Sequence, residues 1–272
     1  MTSAREIRLF IADVDGTLVT HDKSLTARTR TAVEALGAAG IAFAIVSSRP
    51  ARGLAMLIDP LAITTPVSAF NGGMIVEPDL TSVLVRRTLP LDLANDVVVQ
   101  LVQARLDVWV YTAGGWFVRR RDAAYVEHEE YTIQLAPTVV SDVQGVLDGA
   151  IKIVGVSDDV ARVARCETDL RGSAGDRAAI ARSQPYYLDV THRDANKGMA
   201  VRYLSATLGI SLAEIASIGD MSNDVMMFDL CGLSIAMGNA SPDVQRRADL
   251  VTTSNEEEGF ANAVERFVLG RR

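Results

Sequence analysis

An apolar run from Ile7 to Val14 that ends in Asp-Gly-Thr sets the fold class of this chain. The run is short and rich in β-branched residues, the pattern of a strand buried on both faces, and Asp-Gly-Thr reads as the turn that closes it. A helix follows: Thr26 stands where an N-cap belongs, Ala32, Val33, Ala35 and Leu36 form an apolar stripe, and Gly40 occupies the C-terminal cap position. Ile41 to Val46 then predicts a second buried strand. The same grammar returns late in the chain. Ile215 to Ile218 leads into a helix from about Asn223, and Leu233 to Met237 leads into a helix beginning near Ser241. Strands alternating with helices predict an α/β core, a parallel sheet with right-handed crossovers and helices on both faces.

The middle of the chain has another texture. Val108–Thr112, Trp116–Arg120, Ile151–Val156 and Tyr186–Val190 read as strands joined by turns, with helices over Asp92–Arg105 and Asp158–Leu170. This predicts an α+β insert over residues 85–190, flanked by a discontinuous core of residues 1–84 and 191–272. A length of 272 residues suits two domains of ordinary size.

Composition excludes several classes. With 49% hydrophobic and 22% charged residues the chain is not disordered, and a net charge of −7 gives no reason to expect nucleic acid as a partner. Asp13 and Asp15 interrupt the first apolar run, so neither a signal peptide nor a membrane span is expected, and a cytoplasmic setting follows. Cys166 and Cys231 lack metal-ligand spacing and read as buried thiols. Against 24 arginines stand three lysines, Lys23, Lys152 and Lys197. Where Arg is used so freely, a retained Lys suggests a place for a compact point charge.

Asp13 and Asp15, two residues apart on extended chain, point to one side just past the first strand. At about 4 Å and an effective dielectric near 20 their repulsion amounts to roughly 4 kcal/mol, which a divalent cation relieves. An EF-hand is set aside, because Ser24 stands where the twelfth-position Glu belongs and a strand precedes the motif. Gly219-Asp220-Met221-Ser222-Asn223-Asp224 also follows a buried strand, which places Asp220 at a sheet edge where ligands bind. Ser47-Ser48-Arg49 follows another strand, and Asn196-Lys197-Gly198 opens a helix. Hydroxyls, free backbone N–H groups and an ammonium are what a phosphoryl group needs around it.

Asp13-Val-Asp-Gly-Thr-Leu18, Ser47, Lys197 and Gly219-Asp220-x-x-Asn223-Asp224 resemble the four ordered motifs of the haloacid dehalogenase-like phosphatases. Asn71-Gly72-Gly73 and Met237-Gly-Asn-Ala240 are similar to further signatures of the Cof-type branch, which carries an α/β cap between the second and third motifs. One departure stands out: the branch usually reads Thr-Gly-Arg where this chain has Ser47-Ser48-Arg49. Serine keeps the hydroxyl, while Ser48 in place of glycine narrows the backbone's approach to a ligand.

The resemblance implies a Rossmann-like core and a phosphatase acting on a small phosphorylated metabolite, such as a sugar phosphate. Asp13 is then the nucleophile and Asp15 the acid and base. Mg²⁺ is the implied cofactor, held by Asp13, the Asp15 carbonyl and Asp220, with Asp224 in support. Ser47, Ser48, Arg49, Asn71, Lys197 and Asn223 are the implied phosphate and substrate contacts. A phosphomutase on the same scaffold and a binding module without turnover are the alternatives. The motifs specify neither the ester nor an oligomeric state. In the insert, strand alternation sends Val108, Val110, Ile151 and Ile153 to the helix-covered face. By the family's cap arrangement, Trp109, Tyr111 and Lys152 then lie on an open face toward the phosphate site.

Overall fold

The computed structural model describes residues 6–271, and the chain divides into two compact units, Met1–Leu84 with Asn196–Arg272, and Val85–Ala195. In the first unit β1 (Leu9–Ala12) leads to α1 (Ala27–Ala38), β2 (Ala42–Ile45), α2 (Ala55–Ile58) and the antiparallel pair β3 (Val67–Ala69) and β4 (Met74–Val76). β5 (Val83–Arg86) joins that small sheet and carries the chain into the second unit. After the second unit the chain returns to the first through α6 (Lys197–Leu208), β12 (Ile215–Gly219), α7 (Val225–Phe228), β13 (Leu233–Ala236), α8 (Pro242–Gln245), β14 (Leu250–Val251) and α9 (Gly259–Ala263).

Five strands form a parallel sheet in the order β14-β13-β12-β1-β2. All four residues of β1 are fully buried because both sheet faces are covered. Leu9 and Ile11 pack with Ala200, Val201 and Leu204 of α6, while Phe10 meets Phe260 of α9 edge-on at 5.7 Å on the other face. The predicted helix signals act locally. Thr26 caps α1 by accepting the Thr29 N–H, and Gly40, at φ +75°, ends it in a Schellman motif with Ile41 N–H bonded to Leu36 O at 3.0 Å. Ser241 likewise caps α8. Among the described residues no helix is long and apolar enough to cross a membrane.

The second unit runs α3 (Leu91–Gln103), β6 (Asp107–Thr112), β7 (Gly115–Val118), α4 (Val126–Ile133), β8 (Thr138–Val139), β9 (Lys152–Val156), α5 (Val160–Ala174), β10 (Ala178–Gln184) and β11 (Tyr187–His192). Its sheet has the order β10-β11-β9-β6-β7-β8. Val108, Val110 and Ile153 pack with Val97 and Leu101 of α3 and with Val163 and Leu170 of α5, as alternation predicts. Ile151, just ahead of β9, is fully buried.

The opposite face is a correction to the sequence reading, because it is not open. Trp109 and Tyr111 are each 1% exposed. Trp109 packs edge-on against Trp116 and Tyr187, and the Tyr111 hydroxyl donates to Glu129 of α4 at 2.8 Å. Lys152 is buried in an ion pair with Asp189 at 2.7 Å. Parity says which face a side chain takes; it does not say what covers that face. The cover escapes the sequence because α4 is only eight residues long and its N-cap position holds Tyr125, in a left-handed conformation, where a Ser, Thr, Asp or Asn would signal a start. Both cysteines are free thiols, Cys166 buried in this unit's core and Cys231 half-buried in the first unit.

Candidate active site

The site lies at the C-terminal edge of the parallel sheet, where open α/β sheets bind ligands. Asp13 follows β1 directly and its backbone N–H is bonded to Ile218 O of β12 at 3.0 Å. The chain then turns through Gly16 at φ +79°, where a Cβ would stand 2.3 Å from Asp220 Oδ2, so only glycine lets the two loops approach. Lys197 is the first residue of α6, whose start Asn196 caps by accepting the Met199 N–H at 2.9 Å. This fixes the lysine beside the end of β1.

Lys197 is 2% exposed, and its Nζ lies 2.5 Å from Asp13 Oδ1 and 2.5 Å from Asp224 Oδ1. Asp224 uses its other oxygen to accept the backbone N–H groups of Asp220 and Met221, both at 2.9 Å. Thr17 Oγ1 donates to Asp220 Oδ1, and Asn239 Nδ2 donates to Asp220 Oδ2 at 3.3 Å and to Gly16 O at 3.0 Å. Asn255 completes this scaffold by donating its N–H to Asn239 Oδ1 and its Nδ2 to Val19 O.

Asp13, Asp220 and Asp224 each offer an oxygen within 4.8 Å of the others, and all three are buried. One ammonium faces three carboxylates. Burial pushes the Asp13 carboxyl well above its ordinary range even though Lys197 opposes it, with Asp224 and Asp220 adding to the rise. Burial and then Asp224 push Asp220 up to about 6. Burial alone would lower Lys197, but Asp13 and Asp224 hold it above the usual lysine range. Hard oxygen donors, an excess of negative charge and raised carboxyl pKa values fit a divalent cation such as Mg²⁺.

Asp15 belongs to a different cluster, which corrects the repulsion argument made from its spacing to Asp13. Arg49 donates Nε to Asp15 Oδ2 and Nη2 to Oδ1, both at 2.7 Å, and Lys23 Nζ donates to Oδ1 at 2.8 Å. Burial raises the Asp15 pKa, but Arg49 and then Lys23 outweigh it and bring it down to about 2. The charge of Asp15 is therefore met by two cations from the chain, and the acids that crowd Asp13 are Asp220 and Asp224, in the turn between β12 and α7.

The remaining predicted residues are linked through the backbone. Ser47 Oγ accepts the Arg49 N–H at 3.1 Å, and Ser47 O accepts the Asn71 N–H at 2.8 Å. Asn223 Nδ2 donates to Asn71 Oδ1 at 3.1 Å. Asn71 and its neighbour Phe70 are left-handed, at φ +55° and +51°, a conformation that costs energy in residues other than glycine. Ser48 is half-buried at the end of β2. Arg49 also donates Nη1 to Gly53 O, so its three nitrogens are turned to protein groups.

Lys23, Thr17, Asn239 and Asn255 received no role from the sequence. Lysine scarcity was the signal for Lys23: all three lysines sit in ion pairs, at 2.8 Å for Lys23, 2.7 Å for Lys152 and 2.5 Å for Lys197. Asn239 lies within the Met237-Gly-Asn-Ala240 signature, whereas nothing local marks Asn255, whose partners Val19 and Asn239 lie in distant loops.

Fold and site together define a Rossmann-like α/β protein with a buried carboxylate and lysine centre. The family profile of the haloacid dehalogenase-like hydrolases matches residues 10–264, and the chain belongs to that family. It is 28% identical over 269 residues to the Bacillus subtilis protein YxeH, covering 97% of this chain and 99% of that one. It is 26% identical over 269 residues to the 5-amino-6-(5-phospho-D-ribitylamino)uracil phosphatase YitU of the same organism, covering 95% of this chain and 97% of the relative. Its structure is similar to that of a haloacid dehalogenase-like hydrolase from Bacteroides thetaiotaomicron, with a TM-score of 0.88, 25% identity, and coverage of 96% and 99%.

Proposed function

We propose that this hydrolase is a cytoplasmic, Mg²⁺-dependent phosphatase that cleaves a small phosphorylated metabolite through an aspartyl phosphate on Asp13. The observation that carries this reading is the buried Asp13 carboxylate bonded to Lys197, with Asp220 and Asp224 within reach of the same point. Asp13 and Asp220 would hold the cation together with the Asp15 carbonyl. Asp224, with both oxygens engaged, orients Lys197 and the Asp220 loop. A cation held there would supply positive charge to offset the negative charge of the phosphate, so that the anionic Asp13 carboxylate could approach it.

Asp13 attacks phosphorus, forming an O–P bond as the ester P–O bond breaks, and Asp15 gives a proton to the departing alkoxide. Asp15 then takes a proton from the water that splits the aspartyl phosphate and frees Asp13. Arg49 and Lys23 stabilise the basic form used in the second step. The acid form used in the first requires their grip to loosen. Lys197, Ser47 and Asn223 hold the phosphoryl oxygens, since catalysis of this transfer is mostly positioning and electrostatics. The inserted unit acts as the cap that chooses the ester.

Phosphate release from p-nitrophenyl phosphate and a panel of metabolite esters tests this. Release that needs Mg²⁺ and stops with EDTA is expected, and full activity after exhaustive chelation would overturn it. A mutase would instead release little phosphate and depend on a sugar bisphosphate.

A further inference from the structure

A turn late in the first unit, from Ser254 to Glu258, is bonded to two separate loops of the candidate site, and it is stiff for local reasons. Ser254 and Glu257 cap it reciprocally. Asn262 Nδ2 donates to Thr253 Oγ1 at 2.8 Å and to Glu257 O at 3.0 Å, and the turn ends at Glu258 in a left-handed conformation, φ +59°. The loop after β13 lies hard against it: a Cβ on Gly238 would stand 2.7 Å from Ser254 N, so glycine is needed there.

Asn255 makes both connections. Its backbone N–H donates to Asn239 Oδ1 at 3.1 Å, and its side-chain Nδ2 donates to Val19 O at 3.0 Å. A backbone N–H can only donate and a backbone carbonyl can only accept, so the orientation of each asparagine amide is fixed. Asn239 must therefore turn its Nδ2 the other way, toward Gly16 O at 3.0 Å and Asp220 Oδ2 at 3.3 Å. Val19, for its part, is bridged to Asp15 in parallel register. The next residues of the turn add to the hold: Glu256 accepts the His21 N–H at 2.5 Å, and Glu258 accepts the Thr26 hydroxyl at 2.8 Å. The segment from Val19 to Thr26, Lys23 included, is thus held by the same turn that fixes Asn239. Without the Asn255 amide the Val19 carbonyl loses this donor and the Asp15 segment gains freedom relative to Asp220, while every residue assigned to the ion or the phosphate stays in the chain.

We propose that Asn255 is a positioning residue that sets the spacing between the Asp15–Gly16 segment and the Asp220 loop, and through that spacing the affinity for a divalent cation. Groups that orient a metal's ligands change its affinity about 10–100-fold when removed. Asn255 acts one bond further out, so the lower end of that range, about tenfold, is expected. Resting on the phosphatase reading, a loosened spacing also slows turnover at limiting Mg²⁺, whereas the affinity itself is measured without turnover.

Full-length Asn255→Ala and Asn255→Leu are compared with wild type by calorimetric Mg²⁺ titration, by the Mg²⁺ dependence of p-nitrophenyl phosphate hydrolysis and by thermal unfolding in EDTA. Leucine keeps the bulk of asparagine and drops its amide. Both variants should bind Mg²⁺ about tenfold more weakly and need correspondingly more Mg²⁺ for half-maximal rate, with the loss falling on the Mg²⁺ requirement more than on kcat. Asn262→Ala is the control, because its lost bonds loosen the same turn but reach neither loop. It should lower Tm at least as much as the Asn255 variants do and keep Mg²⁺ affinity within about twofold of wild type. Mg²⁺ affinity within about twofold of wild type in the folded Asn255 variants, an equal loss in Asn262→Ala, or no Mg²⁺ binding by the wild type overturns the inference. Weakened Mg²⁺ binding in the Asn255 variants, with a wild type that releases phosphate from no ester, leaves the role of Asn255 standing and removes the phosphatase reading instead.

Discussion

Arg49 holds Asp15 in a two-pronged grip, Nε to Oδ2 and Nη2 to Oδ1, both at 2.7 Å, with the arginine side chain 2% exposed. Lysine cannot reproduce that fork, so Arg49→Lys should lower kcat by about 10²-fold with little change in the Mg²⁺ requirement. Steady-state kinetics over a range of Mg²⁺ concentrations check this. The same grip links stability to pH. The folded-state pKa of Asp15, about 2, lies below its ordinary 3.8, so its contribution is fully present above about pH 5 and is lost as pH falls through about 2. The stability gap between wild type and Asp15→Asn, read by urea unfolding, should therefore shrink on acidification by about 2 kcal/mol.

Lys197→Met leaves three buried acids without their ammonium. In EDTA the variant should lose about 3–5 kcal/mol of stability, because an uncompensated buried charge is far costlier than the pair it came from. Mg²⁺ should raise its Tm more than it raises that of the wild type. Equal shifts in Tm would show that the cation does not sit among these carboxylates.

Metal binding should release protons. Burial and its neighbour Asp224 bring the metal-free Asp220 to about 6, and Asp13 is raised as well. Both must ionise to hold a cation, so Mg²⁺ affinity should rise with pH through that range and weaken below it. Calorimetric titration in two buffers of different ionisation enthalpy counts the protons. Asp220→Ala should weaken Mg²⁺ binding, with partial rescue of activity at high Mg²⁺.

Asp13→Asn keeps the side-chain volume but replaces the nucleophile with an amide. Turnover should fall by more than about 10³-fold with the fold intact by circular dichroism. Activity within tenfold of wild type, in cleanly folded protein, would rule out the covalent role.

Cys231 should be unreactive. Burial pushes its thiol up to about 12, against a small opposing effect of Ser217, so little thiolate exists at neutral pH. Alkylation by iodoacetamide at pH 8 should be slow in the native protein and fast in urea.

The residues by themselves determined the strand and helix grammar of the core, the positions of Asp13, Ser47, Lys197 and Asp220 at element ends, and the side of the insert's sheet to which Val108 and Trp109 belong. These properties are set within a few residues by backbone geometry: a strand alternates, a Thr or Ser caps, a glycine turns. Tertiary structure alone decided which charges meet. Asp13 and Lys197 are 184 positions apart, Asp15 and Arg49 are 34 apart, and the spacing of Asp13 to Asp15 wrongly suggested that those two crowd each other. It also decided that Glu129 of α4 meets Tyr111 and that Tyr187 packs on Trp109, on the face that the family's cap arrangement had left open toward the phosphate site. Periodicity is a local consequence of chain geometry, whereas the pKa of a carboxyl and the burial of an indole depend on every element packed around them.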